Sequence, residues 1–159
     1  MVRHASVVGG GRTNRVLASL LFSDIVESTA AATRLGDAGW HDLLSVHYQQ
    51  AQEAIDRFGG RRITTTGDGM LASFGAAAAA VRCALALRQL STSQDIAVRL
   101  GVHVGEVELA GDDVRGITVH EAARVMAAAG AGEIFVSEHR CVCSARDPAS
   151  PSRTPVSTS

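Results

Sequence analysis

The sequence predicts an α+β domain with a ferredoxin-like sandwich, in which helices pack on one face of a mostly antiparallel sheet. Two observations support this fold. Apolar runs of strand length alternate with helical segments in the order β-α-β-β-α-β, and an Asp-Gly hairpin signal joins the second and third strands. The 159 residues suffice for one such domain, and a composition of 46% hydrophobic and 19% charged residues fits a packed core.

An apolar run and helical spacing predict the first strand and the two helices after it. Residues 16–25 (VLASLLFSDI) are continuously apolar and end in a polar cluster, which is typical of a central strand. A helix opens next, with Ser28 and Thr29 as candidate N-caps. A second helix starts after Asp37, and the Gly-Gly pair at 59–60 ends it.

The next two strands form a predicted hairpin. Residues 61–66 (RRITTT) and 70–74 (MLASF) have strand composition, and Gly67, Asp68 and Gly69 join them. We expect a tight turn here, because Asp-Gly sequences tolerate a positive φ.

The second half of the chain completes the order of elements. Residues 76–90 form an Ala-rich helical pattern, and residues 96–110 a long strand with a glycine where it could bend. Residues 111–116 (GDDVRG) are predicted to be a loop, residues 118–130 a helix ending at its glycine, and residues 133–137 a last strand.

Both ends of the chain are expected to lie outside the folded domain. Residues 1–15 are Gly-rich and basic and predict a flexible leader, whereas residues 143–159 contain all three prolines and many serines and predict a disordered tail. The domain would then span residues 16–142. No apolar run approaches the length of a membrane span, and the leader lacks the apolar segment of a secretory signal.

Charge and cysteine content narrow the classes of function. A formal net charge of -1 gives no general electrostatic reason to bind nucleic acid or an anionic membrane. The three cysteines, Cys83, Cys141 and Cys143, are an odd number and do not suggest a disulfide framework. Cys83 falls in an apolar helical pattern and is expected to be a buried thiol. We therefore expect a cytoplasmic, reducing location.

Two aspartates fall where neighbouring strands of the predicted sheet meet. Asp24 ends the first strand and Asp68 occupies the tip of the hairpin, so both carboxylates could converge at one edge. Paired carboxylates suit Mg²⁺ or Mn²⁺, which take their other ligands from water and phosphates. The helix start after Asp24 is also a favourable place for an anion. The alternative is that Asp24 caps a helix and Asp68 only forms a turn.

Four segments together closely resemble the catalytic domain of class III nucleotide cyclases, above all the bacterial adenylate cyclases. The resemblance covers roughly Leu17 to Ser137, and the segments, in order, are FSDIVEST, TTGDGMLASF, RLGVHVGEV and GDDVRGITVHEAARV. It implies a ferredoxin-like fold of the nucleotide cyclase type. It also implies conversion of ATP to 3′,5′-cyclic AMP and pyrophosphate, in which the ribose 3′-hydroxyl attacks the α-phosphate in line.

The resemblance also implies roles for residues near the first strand. Asp24 and Asp68 would hold two Mg²⁺ or Mn²⁺ ions, with the carbonyl of Ile25 as an added ligand. Arg99, in the RLGVH segment, matches the phosphate-binding arginine of the family. The backbone from Ile25 to Thr29 would cradle the β- and γ-phosphates, with Val26, Glu27, Ser28 and Thr29 as the substrate-binding residues.

A second set of implied residues lies in the last segment. Arg124 matches the arginine that stabilises charge on the α-phosphate; the alternative is a helix-surface arginine. His120 lies one turn earlier, where the family usually has an asparagine that orients the ribose; a structural histidine is the alternative. Asp113 matches the aspartate that accepts a hydrogen bond from the adenine amino group, which favours ATP over GTP. The family works as dimers, so this set would face Asp24 and Asp68 of a second subunit across a two-fold axis.

The sequence departs from the family in two places. Thr64 stands where the family has an adenine-reading lysine, and a threonine is too short to replace it. Arg62, which a period of two places on the same strand face, is a candidate substitute for the lysine. After residue 140 the text CVCSARDPASPSRTPVSTS has no periodicity, where the family continues with a helix, strands and a phosphate-binding lysine. Two alternatives therefore stay open: a degenerate, cyclase-like domain for nucleotide binding or dimerisation, and a cyclase that also accepts GTP.

Overall fold

A computed structural model describes residues 14–138 and 154–155, and the side chains of residues 14–137. Its helices and strands follow the predicted order, with two additional short strands. They are β1 (Asn14–Ile25), α1 (Ser28–Arg57), β2 (Arg61–Thr66), β3 (Gly69–Phe74), α2 (Ala77–Ser93), β4 (Val98–Ala110), β5 (Asp113–Arg115), α3 (Ile117–Ala127), β6 (Ile134–Glu138) and β7 (Thr154–Pro155).

The seven strands form one mixed sheet in the order β2-β3-β1-β4-β6-β7, and β5 pairs with β4 beside this path. The pairs β1–β3, β1–β4 and β2–β3 are antiparallel. β6 is parallel to β4. The four strands β2-β3-β1-β4, connected through α1 and α2, are the ferredoxin-like core, so the predicted α+β fold is confirmed.

Alternate residues of the central strands point to two separate hydrophobic clusters. Leu21 packs with Ile55 of α1 and Leu87 of α2 on one face of the sheet. Leu20 packs with Ala122 of α3 on the other. The prediction that helices share one face holds for α1 and α2 but is wrong for α3.

Two glycines of β4 explain how α3 approaches the second face so closely. A Cβ at Gly101 would lie 2.3 Å from the Met126 backbone nitrogen, and one at Gly105 would lie 2.6 Å from the Thr118 Cγ2. Neither distance is sterically allowed, so α3 lies directly on the β4 backbone.

The first helix contains a break that separates the two predicted segments. Gly36 has φ 72° and ψ 170°, which interrupts the helical backbone inside α1. The proposed caps Ser28 and Thr29 are wrong, because the N-cap residue is Glu27, with φ 55° and no side-chain capping bond. The tight turn from β1 into α1 therefore depends on the left-handed backbone of Glu27.

The structure agrees with one further expectation, the burial of Cys83, and differs from those for the loop 111–116 and the hairpin turn. Cys83 is a fully buried free thiol, as predicted, and burial raises its pKa to about 12. The predicted loop 111–116 contains β5. The turn residue with positive φ is Gly67, at 61°, while Asp68 keeps an ordinary backbone. Among the residues described, no helix combines the length and apolarity that a membrane crossing requires.

The domain boundaries remain predictions. β1 begins at Asn14, inside the predicted leader, and the two residues of β7 lie inside the predicted tail. The remainder of those segments, residues 1–13, 139–153 and 156–159, lies outside the described residues.

The close contact of α3 with β4 predicts a large effect of one methyl group. Gly101→Ala should lower the free energy of unfolding by about 1–3 kcal/mol, because its Cβ would displace the Met126 backbone. Urea unfolding followed by circular dichroism measures this. The matched control is Gly75→Ala, whose Cβ would meet nothing within 4 Å. Its effect should stay within about 0.5 kcal/mol, and equal losses in both variants would contradict this account of the packing.

Candidate active site

The register of β1 against β3 brings the two predicted metal-binding aspartates together. Asp24 pairs with Gly69, the residue that follows Asp68 in the chain. Both carboxylates act electrostatically on the Tyr48 hydroxyl, and both raise its pKa. The prediction that Asp24 and Asp68 meet at one edge of the sheet is therefore consistent with the structure.

Tyr48 is a residue of this region that sequence reasoning missed. It lies on α1, half-buried, and its hydroxyl donates a hydrogen bond to the Gly67 carbonyl and lies 3.4 Å from the Gly69 carbonyl. Burial is the main cause of its raised pKa, followed by Asp68 and Asp24, while Arg62 acts in the opposite direction. The available signal was its place on the inward side of an amphipathic helix, which predicts packing and not contact with a hairpin.

Arg99 forms an ion pair with Asp24. The two residues are cross-strand partners between β1 and β4. The Arg99 Nε and Nη2 atoms lie 3.0 and 2.7 Å from the same oxygen, Asp24 Oδ2. The Asp24 side chain is 20% exposed and that of Arg99 37% exposed, so water screens the pair only partly. Arg99, the predicted phosphate ligand, is therefore the counterion of Asp24, a predicted metal ligand.

The backbone after β1 offers fewer free donors than the sequence suggested. Ile25 pairs with Val98, and the Val26 N–H donates to the Ala97 carbonyl at 2.8 Å. Val26 therefore cannot donate its N–H to a phosphate, contrary to prediction.

The first turn of α1 retains the donors of the predicted cradle. The Ala31 N–H donates to the carbonyl of the N-cap residue Glu27 at 3.0 Å, so the N–H groups of Ser28 and Thr29 precede the first intrahelical bond. No acidic side chain occupies this first turn. These two amides can receive an anion.

Asp113 is exposed at the start of β5, and its carboxylate accepts hydrogen bonds from the next two residues of the same strand. Its Oδ1 accepts the Val114 N–H at 2.9 Å, and its Oδ2 accepts the Arg115 Nε at 3.2 Å. The neighbouring Asp112 forms an ion pair with Arg61 of β2 at 3.2 Å. The β4–β5 hairpin therefore reaches across the sheet to the strand that carries Thr64.

A β-bulge in β2 separates Arg62 from Thr64. Arg62 pairs with Ala72 and Thr64 with Leu71, so the register shifts by one residue between them. Since Ala72 and Leu71 belong to opposite faces of the sheet, Arg62 and Thr64 do too. The prediction that they share a face is wrong, and Arg62 acts instead near Tyr48.

His120 and Arg124 lie one turn apart on α3, and both are exposed. Within residues 14–137, no hydrogen bond or ion pair joins either side chain to Asp24 or Asp68. The residue after His120, Glu121, contacts the buried His103 at 3.0 Å, and His103 also contacts Ser137 at 2.7 Å. This network fixes α3 against β4 and β6, and with it the positions of His120 and Arg124.

Comparison with known proteins identifies the family. The family described as "Adenylate and Guanylate cyclase catalytic domain" matches residues 12–150. The chain belongs to this family. The protein named "Putative adenylate cyclase 3" from Rhizobium meliloti is 33% identical over 133 residues. That match covers 78% of this chain but 22% of the relative, so the cyclase domain spans about a fifth of this relative's length.

Solved structures of cyclases have the same fold. The adenylate/guanylate cyclase/hydrolase from Silicibacter pomeroyi is 31% identical with a TM-score of 0.71, and the match covers 79% of this chain and 77% of that one. A guanylyl cyclase domain of the RhoGC fusion protein from Blastocladiella emersonii is 25% identical, with a TM-score of 0.73 and coverage of 78% and 81%. The similar proteins therefore include both adenylyl and guanylyl cyclases.

Proposed function

We propose that this cyclase domain is an adenylate cyclase, which converts ATP to 3′,5′-cyclic AMP and pyrophosphate at the interface of a cytoplasmic homodimer. The observation that supports this most is the β1–β3 register, which places Asp24 opposite the residue after Asp68. Arg99 offsets the charge of Asp24, but among the described residues no cationic side chain pairs with Asp68. Since like charges repel, a bound cation would stabilise the two neighbouring carboxylates.

The residues present fit Mg²⁺ or Mn²⁺. Asp24 and Asp68 would hold two ions, with the Ile25 carbonyl as a further oxygen ligand. No cluster of three or more histidine, cysteine, aspartate or glutamate side chains suited to a metal occurs in the described part of the chain, so the remaining ligands would be water and phosphate. Bound there, the ions would stabilise negative charge on the attacking and leaving oxygens.

The chain's own groups would bind and orient the nucleotide. Arg99 and the amides of Ser28 and Thr29 would hold the phosphates. Glu27 would shape this cradle through its left-handed backbone. The second subunit would supply Arg124 to the α-phosphate.

The second subunit would also read the sugar and the base. His120 would position the ribose, and Asp113 would accept a hydrogen bond from the adenine amino group. The exposure of His120 and Asp113 supports this division, because neither is committed to the core of its own subunit.

One observation favours the alternatives. Thr64 is exposed, and its hydroxyl lies 3.4 Å from the adjacent Thr65 carbonyl, where it cannot reach as far as a lysine. Weakened base recognition supports either a cyclase that also accepts GTP or a domain that binds nucleotide without turnover.

A product assay separates these hypotheses. Purified protein with Mn²⁺ and either ATP or GTP is analysed for cyclic nucleotide by mass spectrometry. Cyclic AMP should form, and Asp68→Ala should reduce its rate more than about 100-fold through the loss of a metal ligand. No product above that variant at high enzyme concentration would contradict turnover and favour the degenerate domain. Equal rates with ATP and GTP would support the unselective cyclase.

Restoring a lysine tests base recognition. Thr64→Lys should raise kcat/KM for ATP about ten- to hundredfold, because it adds a charge-assisted hydrogen bond to the base. The matched control is Thr65→Lys, which adds the same charge on the opposite face, since Thr65 pairs with Met70. A similar gain in both variants would show that charge, and not a base contact, is responsible. No gain in either variant would indicate that low activity has a cause other than the missing contact to the base.

The Arg99–Asp24 ion pair predicts opposite effects on the two ligands. Arg99→Gln should tighten Mn²⁺ binding in the absence of nucleotide about two- to fivefold, because Asp24 loses a competing partner. The same change should weaken binding of a non-hydrolysable ATP analogue. Isothermal titration calorimetry measures both. Arg15→Gln, which removes an exposed arginine 3.5 Å from Glu106, alters the net charge equally and should change neither affinity.

A further inference from the structure

We propose that Tyr48 is a positioning residue for Asp68, whose hydroxyl ties the tip of the β2–β3 hairpin to α1. The inference rests on the proposed function, because Asp68 matters here as a metal ligand. The residue is not part of the segments that resemble a cyclase motif, and its contacts alone assign the role.

The Tyr48 hydroxyl lies close to the carbonyls of Gly67 and Gly69, the two residues that flank Asp68. It donates to the Gly67 carbonyl and lies 3.4 Å from the Gly69 carbonyl. One hydroxyl thus fixes the peptide that precedes Asp68 and approaches the carbonyl of the residue that follows it. The direction of the Asp68 side chain depends on this backbone.

Gly67 and Asp68 form the tip of the hairpin, beyond the last strand pair of Thr66 with Gly69. Gly69 is held on one side by its pairing with Asp24. Gly67, on the other side, has a positive φ of 61°, and a Cβ there would meet nothing within 4 Å. In the described part of the chain, no other side chain donates a hydrogen bond to the Gly67 carbonyl. The pairing of Thr66 with Gly69 closes the turn, and the Tyr48 hydroxyl holds the Gly67 carbonyl within it.

α1 supplies a rigid base for this contact. The residue before Tyr48, His47, is 4% exposed. The Tyr48 ring packs against the core cluster that contains Leu21 and Ile55. The ring is therefore fixed by the core while its hydroxyl reaches the hairpin. Burial and the two nearby carboxylates raise the Tyr48 pKa, so the hydroxyl keeps its proton at neutral pH and remains a donor.

Loss of this hydroxyl should lower the affinity for the metal rather than disrupt the fold. Metal binding requires the carboxylates at defined positions, and small displacements of a supporting group reduce affinity and rate. Tyr48→Phe keeps the packed ring and removes the one donor. We expect its Mn²⁺ affinity to fall about three- to tenfold, the range that one net hydrogen bond provides.

The experiment measures Mn²⁺ binding by isothermal titration calorimetry on the full chain, together with urea unfolding in the absence of metal. Ser45→Ala is the matched control, because its hydroxyl bonds to the His41 carbonyl at 2.9 Å on the same helix, away from the hairpin. It should bind Mn²⁺ as the unmodified chain does. Asp68→Asn, measured in parallel, should lose most of the affinity.

The outcomes separate the inference from the proposed function. Weaker Mn²⁺ binding by Tyr48→Phe, with Ser45→Ala unchanged, supports the positioning role. Unchanged binding by Tyr48→Phe while Asp68→Asn binds weakly overturns that role and leaves the metal site intact, even where the variant unfolds more easily. Unchanged binding by Asp68→Asn overturns the metal site, and the role of Tyr48 with it.

Discussion

The antiparallel register of β1 is the constraint on which the candidate site depends. β1 lies between β3 and β4, so its backbone pairing places Asp24 opposite Gly69 on one side and Arg99 on the other. A slip of one residue would turn Asp24 to the other face of the sheet and move it away from both. The hydrophobic alternation of Leu20 and Leu21, which enter different clusters, makes such a slip costly. The core therefore fixes the geometry of the charges.

That arrangement gives Asp24 two competing uses. Arg99 neutralises Asp24 in the structure, yet a phosphate would also attract the same guanidinium. A nucleotide that draws Arg99 away would free Asp24 for a cation, and the cation would in turn strengthen phosphate binding. Linkage requires the two effects to be equal in free energy. Under the proposed function, the ion pair would couple the binding of metal to the binding of nucleotide.

The sequence predicted the elements well because apolar periodicity and the hairpin signal are local properties. It could place Asp24 and Asp68 on neighbouring strands because strand order follows from the fold, and the pairing of Asp24 with Gly69 is consistent with that. It did not predict the contact of Tyr48 with Gly67, since nothing local links a helix residue to a turn 19 residues away. The bulge between Arg62 and Thr64 was missed for a similar reason: register is decided by pairing with β3, and the residues themselves alternate normally.

The same bulge places the proposed base-reading residue and the surroundings of the proposed metal ligands on opposite faces of the sheet. Thr64 faces the side of the sheet that carries Leu71 and the β4–β5 hairpin, while Arg62 faces Tyr48 and the helices α1 and α2. A change at position 64 would therefore leave Tyr48 and the hairpin tip undisturbed. Under the proposed function, a threonine in place of the expected lysine would weaken base selectivity through one contact, whereas the carboxylates would keep their backbone support. The two proposed properties could then vary independently.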